Sequence, residues 1–188
     1  MTAAHDRNCT KRTGIIAAFE GFKLGNSPSE YTKEAVEGKA LILTTTNGAV
    51  ALTKAKHARH CFIGSFVNIS AVVRALSELR DIEETGLVII CSGREDDFSL
   101  EDSVCAGMLL SKLKEKIPAI ELTDSARTVL SDYDTYGSNI YETIRESDHG
   151  KYLASIGFEN DIKVASEIDS VPIVPVLEQT VIKKKLSY

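Results

Sequence analysis

The sequence has no tryptophan, and none of its four cysteines stands in a C-x-x-C pair. Cys9, Cys61, Cys91 and Cys105 lie far apart, which removes the spacing of a zinc or dithiol site and reads as reduced, mostly buried thiols. Cys91 and Cys105 both read as small core hydrophobes, although Cys91 keeps a functional reading because it ends an apolar run. No stretch approaches the roughly 18 apolar residues of a membrane span, and Met1 to Arg12 are polar, unlike a signal-peptide core. A soluble, cytoplasmic chain is expected. Gly-x-x-x-x-Gly-Lys is absent, which excludes a P-loop. No serine carries nucleophile-elbow glycines, and His5, His57, His60 and His149 sit apart, so a hydrolase triad has no support. Basic residues are also in deficit, 22 against 27 acidic ones, for a net charge of -5. That balance disfavours nucleic acid and anionic membranes as partners.

What is present is the make-up of one ordinary domain: 188 residues, 43% hydrophobic and 26% charged. Such a chain buries roughly 70% of its unfolded surface and needs no staple. Apolar runs of strand length occur at residues 40–45, 60–66 and 87–91, followed by helical patterns over 49–56, 70–80 and 100–116. In the second of these patterns Val72, Val73, Leu76 and Leu79 share one face. Strands that are apolar throughout and alternate with helices predict an α/β fold, a three-layer α/β/α domain with a largely parallel central sheet. Further helices are expected over 124–133, 139–146 and 149–163, and a Pro-flanked edge strand over 173–177. Lys183, Lys184 and Lys185 read as a solvated tail or an edge-strand guard. Residues 15–19 are the one weak apolar run before the first strand.

In such sheets ligands bind beyond the carboxyl ends of the strands, so the segments there carry the chemistry. Strand one runs into Thr44-Thr45-Thr46-Asn47-Gly48, strand two into Phe66-Val67-Asn68, and strand three into a polar stretch from Ser92 to Asp102. The threonines and Asn47 offer donors ahead of a helix N-terminus, which suits phosphate or carboxylate. Equally, Thr46 or Asn47 caps that helix while Gly48 eases the turn. Ser99 reads as an N-cap with Asp102 as a short capping-box acid. Alternatively, the acids of this stretch hold Mg²⁺, which takes oxygen ligands and shares them with a substrate phosphate. Glu95 to Asp97 read as a solvated loop. Residues 25–30, Gly-Asn-Ser-Pro-Ser-Glu, read as a helix start with Ser27 as N-cap, Pro28 first and Glu30 closing the box.

Read together, these segments resemble the 2-phosphosulfolactate phosphatase family. The blocks that carry the resemblance run in order: Gly21-Phe22-Lys23-Leu24-Gly25-Asn26-Ser27-Pro28-Ser29-Glu30-Tyr31, Thr44 to Gly48, and Gly64-Ser65-Phe66-Val67-Asn68. Phe98-Ser99-Leu100-Glu101-Asp102 with Ala106-Gly107, Gly157 to Ile162, and Val174-Pro175-Val176-Leu177 complete them. The resemblance implies Mg²⁺-dependent hydrolysis of 2-phospho-3-sulfolactate to 3-sulfolactate and phosphate, a step on a route to coenzyme M. It implies that the polar residues of these blocks surround the site; on that placement we read catalytic roles for Asp102, Glu101 and Asn47, with Glu101 and Asp102 on the metal. Asn26, Ser27, Thr45, Thr46, Gly48 and Asn68 would bind substrate.

The family's opening strand and its Asp-x-Leu-Arg-Ala-Thr-Thr-Thr segment have no counterpart before Gly21, where His5-Asp6-Arg7 is the nearest match to the family's Gly-Glu-Arg. Family Thr-Asn-Gly-Thr ends here in Ala49. The chain therefore reads as a single domain, N-terminally truncated relative to the family. Two expectations follow: a homo-oligomer, most simply a twofold dimer, that covers the incomplete sheet, and a rival function as a catalytically impaired protein binding small anions.

Overall fold

Ser99 stops the extended chain before Leu100, and its hydroxyl accepts the Asp102 amide at 3.3 Å, so a long helix begins there. In a computed structural model, which describes residues 2–5, 23–94 and 97–185, this helix, α5 (Leu100–Lys116), is the centre of the fold. Val104, Met108, Leu109, Leu110 and Leu113 are all buried, as are Ala106 and Gly107, so mid-helix it is covered nearly all round. Lys114 and Lys116 stand in its last turn, where cations suit the dipole, and Pro118 follows it.

Around α5 pack α3 (Ile69–Ser77), α6 (Asp124–Tyr136) and α7 (Ile140–Glu146). On α3, Ile69, Val72, Val73 and Leu76 recur at helical spacing and all are buried; Leu79, just beyond the helix, packs against the same core. The α3 start is doubly fastened: Ser65 and Asn68 form a capping box, and the Asp169 carboxylate accepts the Ser70 amide at 2.7 Å. Ser147 joins α7 to α8 (Asp148–Ser155), donating to the Ile144 carbonyl at 2.8 Å and accepting the Gly150 amide at 3.0 Å. The single helix expected over 149–163 is two, because Gly157 at φ +87 ends α8 and α9 (Glu159–Ser166) starts anew.

The strands differ most from expectation. β1 (Thr2–His5) pairs in parallel with β2 (Leu41–Thr44), and β3 (Pro175–Glu178) pairs antiparallel with β4 (Val181–Lys184). Two two-stranded sheets among the described residues replace the continuous parallel sheet of a three-layer domain; the mixture of helix and strand stands. The run at 60–66 narrows to a bridge between Phe62 and Val176, with Ile63 donating to the Pro175 carbonyl and Leu177 to that of Cys61. β3 thus has neighbours on both sides and is not an edge; Pro175, as its first residue, needs no donor there. The run at 87–91 forms no ladder among the described residues, since the segments meant to flank it pair elsewhere. Val88 is 83% exposed and Cys91 is exposed too, not a core residue. Lys183 and Lys184 do guard an outer strand, Lys183 pairing with Glu178 at 2.9 Å.

The short elements are a 3₁₀ turn (Pro28–Glu30), α1 (Lys33–Val36), α2 (Gly48–Ala55), a 3₁₀ turn (Phe66–Asn68) and α4 (Ile82–Thr85). Among the described residues no helix is long and apolar enough to cross a membrane. The apolar run at 15–19, Arg7, the Gly21-Phe22 opening of the first block, and Glu95 and Asp96 lie outside the described residues.

Candidate functional site around Asp102

An aspartate in the first turn of a helix has its carboxylate beside N–H groups that no helical carbonyl can satisfy. Asp102 uses that position differently from the capping box expected of it. Its Oδ2 accepts the Gly93 amide at 2.8 Å, so it folds the preceding loop back onto α5. Gly93 sits at φ +67, and a Cβ there would lie 2.8 Å from the Asp97 carbonyl oxygen, so only glycine makes this turn without strain. The turn closes through paired backbone bonds, Arg94 to Asp97 at 3.1 Å and Asp97 to Arg94 at 2.9 Å.

Burial raises the Asp102 pKa above the usual carboxylate value, and the neighbouring Glu101 charge adds to this. The Gly93 and Ser92 amides and the charge of His149 act the other way. The same pocket of chain holds two thiols. Burial pushes Cys105 up to about 12, with Asp102 and Cys91 contributing, and partial cover of its sulfur raises Cys91 as well, although that residue is exposed overall. Both are therefore poor nucleophiles. On α8, His149 stacks on Tyr152 with ring centroids 6.3 Å apart, and the Arg94 guanidinium lies over the Tyr152 ring at 5.8 Å. The loop is thus tied to α5 through Gly93 and Asp102 and touches α8 through Arg94 and Tyr152.

The other expected site residues are distributed elsewhere. Ser27 is buried, donates to the Asp161 carboxylate at 2.8 Å and shares a hydrogen bond with Ser29; it makes no cap bond to the 3₁₀ turn it precedes. Glu30 accepts the Gly25 amide instead of closing a box, and Asn26 is exposed. Asn68 is buried and spends its whole amide on the fold: Oδ1 accepts from Ser65, while Nδ2 donates to the Ile63 and Ile173 carbonyls. Asn47 makes no side-chain cap bond, and it is Thr45 that accepts the amide of Ala49, the second residue of α2, at 2.9 Å. Gly48 packs beneath that hydroxyl, which a Cβ would approach to 3.2 Å. No residue of α2 is buried, and neither Ser27, Asn68 nor Thr45 bonds to the Asp102 group.

Sequence reading missed His149 and Tyr152. Their i, i+3 spacing puts them on one face of α8, but nothing local announces that Tyr152 lies under Arg94 or that the His149 charge acts on Asp102. Among the described residues no group of three or more histidines, cysteines or acids could hold a metal. Glu101 and Asp102 are consecutive carboxylates in the first turn of α5, and oxygen donors of this kind, one or two of them with substrate phosphate, are the chemistry Mg²⁺ takes.

Comparison with known proteins matches the chain to one family. The family model for 2-phosphosulpholactate phosphatase matches residues 12–180, a span that includes Ser27, Asn68, Asp102 and Asp161. A probable 2-phosphosulfolactate phosphatase of Clostridium beijerinckii is 39% identical over 157 residues, covering 84% of this chain and 64% of the relative. The like-named protein of Caldanaerobacter subterraneus is 37% identical over 165 residues, 88% of this chain and 66% of the relative. That of Thermotoga maritima is 38% identical over 174 residues, 89% and 72%. The chain thus spans just under two thirds of the length of the first two relatives. With its polar blocks in order and a family match over most of its length, the chain belongs to the 2-phosphosulfolactate phosphatase family.

Proposed function

We propose that the chain is a Mg²⁺-dependent phosphatase acting on 2-phospho-3-sulfolactate, a phosphoric monoester hydrolase of the cytoplasm on a route to coenzyme M. The observation that carries this reading is Asp102 itself, a half-buried carboxylate clamped at the first turn of α5 by the Gly93 amide, within the family-matched region. Glu101 and Asp102 would hold the metal, which when bound supplies positive charge against the phosphoryl oxygens. The N-terminal end of α5 adds its own positive field to the same spot. Water adds to phosphorus, the bond to the C2 oxygen breaks, and the alcohol leaves with a proton. On the strength of the family blocks, Asn47 would orient oxygens in line, with Asn26, Ser27, Thr45, Thr46, Gly48 and Asn68 around the substrate.

One observation favours a second reading, a binding protein for small anions with an impaired centre. Ser27, Thr45 and Asn68 are committed to the fold, and α2 stands away from the buried core. Incubating the purified chain with 2-phospho-3-sulfolactate and Mg²⁺ separates the two. Release of phosphate supports the enzyme; tight binding without release supports the binding protein and overturns the enzyme.

Association belongs to the same reading. Exposed Ile42, Leu43, Val88, Ile89 and Ile90 leave apolar backbone segments facing water, and a twofold homodimer would cover them. Light scattering at micromolar concentration should give twice 20.5 kDa, and a clean single-chain mass sinks the dimer.

A further inference from the structure

A small phosphate ester that also bears a carboxylate and a sulfonate needs more than the metal to hold it: its remaining oxyanions need a cation of their own. The acid-rich loop before α5 presents one. Arg94 lies two residues after Ser92 and next to Gly93, the residue clipped to Asp102 at 2.8 Å. Its own main chain is pinned twice to Asp97. Its guanidinium lies over the Tyr152 ring, and that ring stacks on His149, whose charge reaches Asp102. Backbone and side chain are therefore both positioned, one on α5 and the other on α8. Among the described residues no carboxylate forms an ion pair with Arg94, whereas Arg59 and Arg145 are each paired. A planar guanidinium held against an aromatic face keeps its outer N–H groups for an oxyanion.

We propose that Arg94 is the specificity-determining cation of this site and binds the oxyanion of the substrate remote from the phosphorus. The inference rests on the phosphatase reading of the Asp102 site. Arg94 does no chemistry, so its removal should weaken substrate binding and leave turnover at saturation alone.

The test compares wild type with Arg94→Met and Arg94→Lys on 2-phospho-3-sulfolactate and on 2-phospholactate, which lacks the sulfonate. Arg94→Met should raise KM for phosphosulfolactate about tenfold or more with kcat near wild type. Arg94→Lys, which keeps the charge but not the fork, should fall between. If only phosphosulfolactate is affected, Arg94 holds the sulfonate; if both substrates are, it holds the carboxylate. An unchanged KM on both, or a loss confined to kcat, overturns the assignment. Should wild type release no phosphate, titration calorimetry with 3-sulfolactate decides separately. Binding that Arg94→Met abolishes keeps the inference while the phosphatase reading falls, and equal binding by both proteins, or none by either, overturns the inference.

Discussion

Asp102→Asn should cut phosphate release from 2-phospho-3-sulfolactate by about 10²-fold or more while leaving the chain folded. The substitution keeps the side chain's shape, and an amide oxygen can still accept the Gly93 N–H now bound at 2.8 Å, so the loop should stay in place. What disappears is the negative charge that the proposed metal site and phosphoryl chemistry would require. The stability change has the opposite sense. Burial raises the Asp102 pKa, so the folded chain holds this proton more tightly than the unfolded one. The group's contribution to stability is therefore greatest below the ordinary carboxylate value and is lost as pH rises toward the raised folded value. Metal-free Asp102→Asn should be at least as stable as wild type at neutral pH. Thermal unfolding in chelator from pH 4 to 8, run beside the phosphate assay, reads both effects. Wild-type turnover in the variant would remove Asp102 from the mechanism, and a collapse of its melting temperature would make the lost activity structural.

The helix start at Asp102 was legible because its signals are local. Ser99 at a helix start and acids in the first turn follow from capping and dipole, and the ordered blocks identified the family, whereas the turn at Gly93 was not read from the sequence. The role of Asp102 was only half legible: the sequence shows a carboxylate at the third helical position, but not that the Gly93 amide would replace a capping-box partner. Asn68, at a strand end, and Ser27, at a helix start, carry a second demand that the sequence did not announce. Each satisfies buried groups of its own chain, which folding requires before any ligand arrives. His149 and Tyr152 were invisible as site residues because their role depends on how α8 packs, a tertiary fact without a sequence period.

Helices were read well and strands poorly, for a related reason. A helix satisfies its backbone within itself, so the spacing of Ile69, Val72, Val73 and Leu76 is enough to place α3. A strand's hydrogen bonds belong to its neighbours. Residues 87–91 have strand length and composition, but β2 pairs with β1, and Cys61 to Ile63 pair with β3, so no partner is left for them among the described residues. Apolar content identified the segments able to become strands and left their pairing undetermined.

Gly107→Ala should destabilise the protein, although helix propensity alone predicts a gain of about 1 kcal/mol. Gly107 lies inside α5 where α6 crosses it, and a Cβ there would stand 2.0 Å from the Val129 carbonyl oxygen and 2.6 Å from the Tyr133 Cβ. Those atoms are main chain or fixed to it, so no rotamer change clears the space and the helices must separate. Nearby, Ser103 on α5 donates to Asp132 on α6, a bond that any separation also strains. Overpacking of this kind costs about 1–3 kcal/mol, and contact with backbone puts this site at the upper end. For a chain of this size each kcal/mol lowers the melting temperature by about 2–4 °C. Denaturant unfolding of wild type and Gly107→Ala measures the difference. A more stable variant would show that propensity governs and that α5 and α6 do not cross at Gly107. Because Glu101 and Asp102 occupy the first turn of the same helix, a variant assayed well below its melting temperature should also lose part of its phosphate release, as α5 shifts against Tyr152 and Arg94.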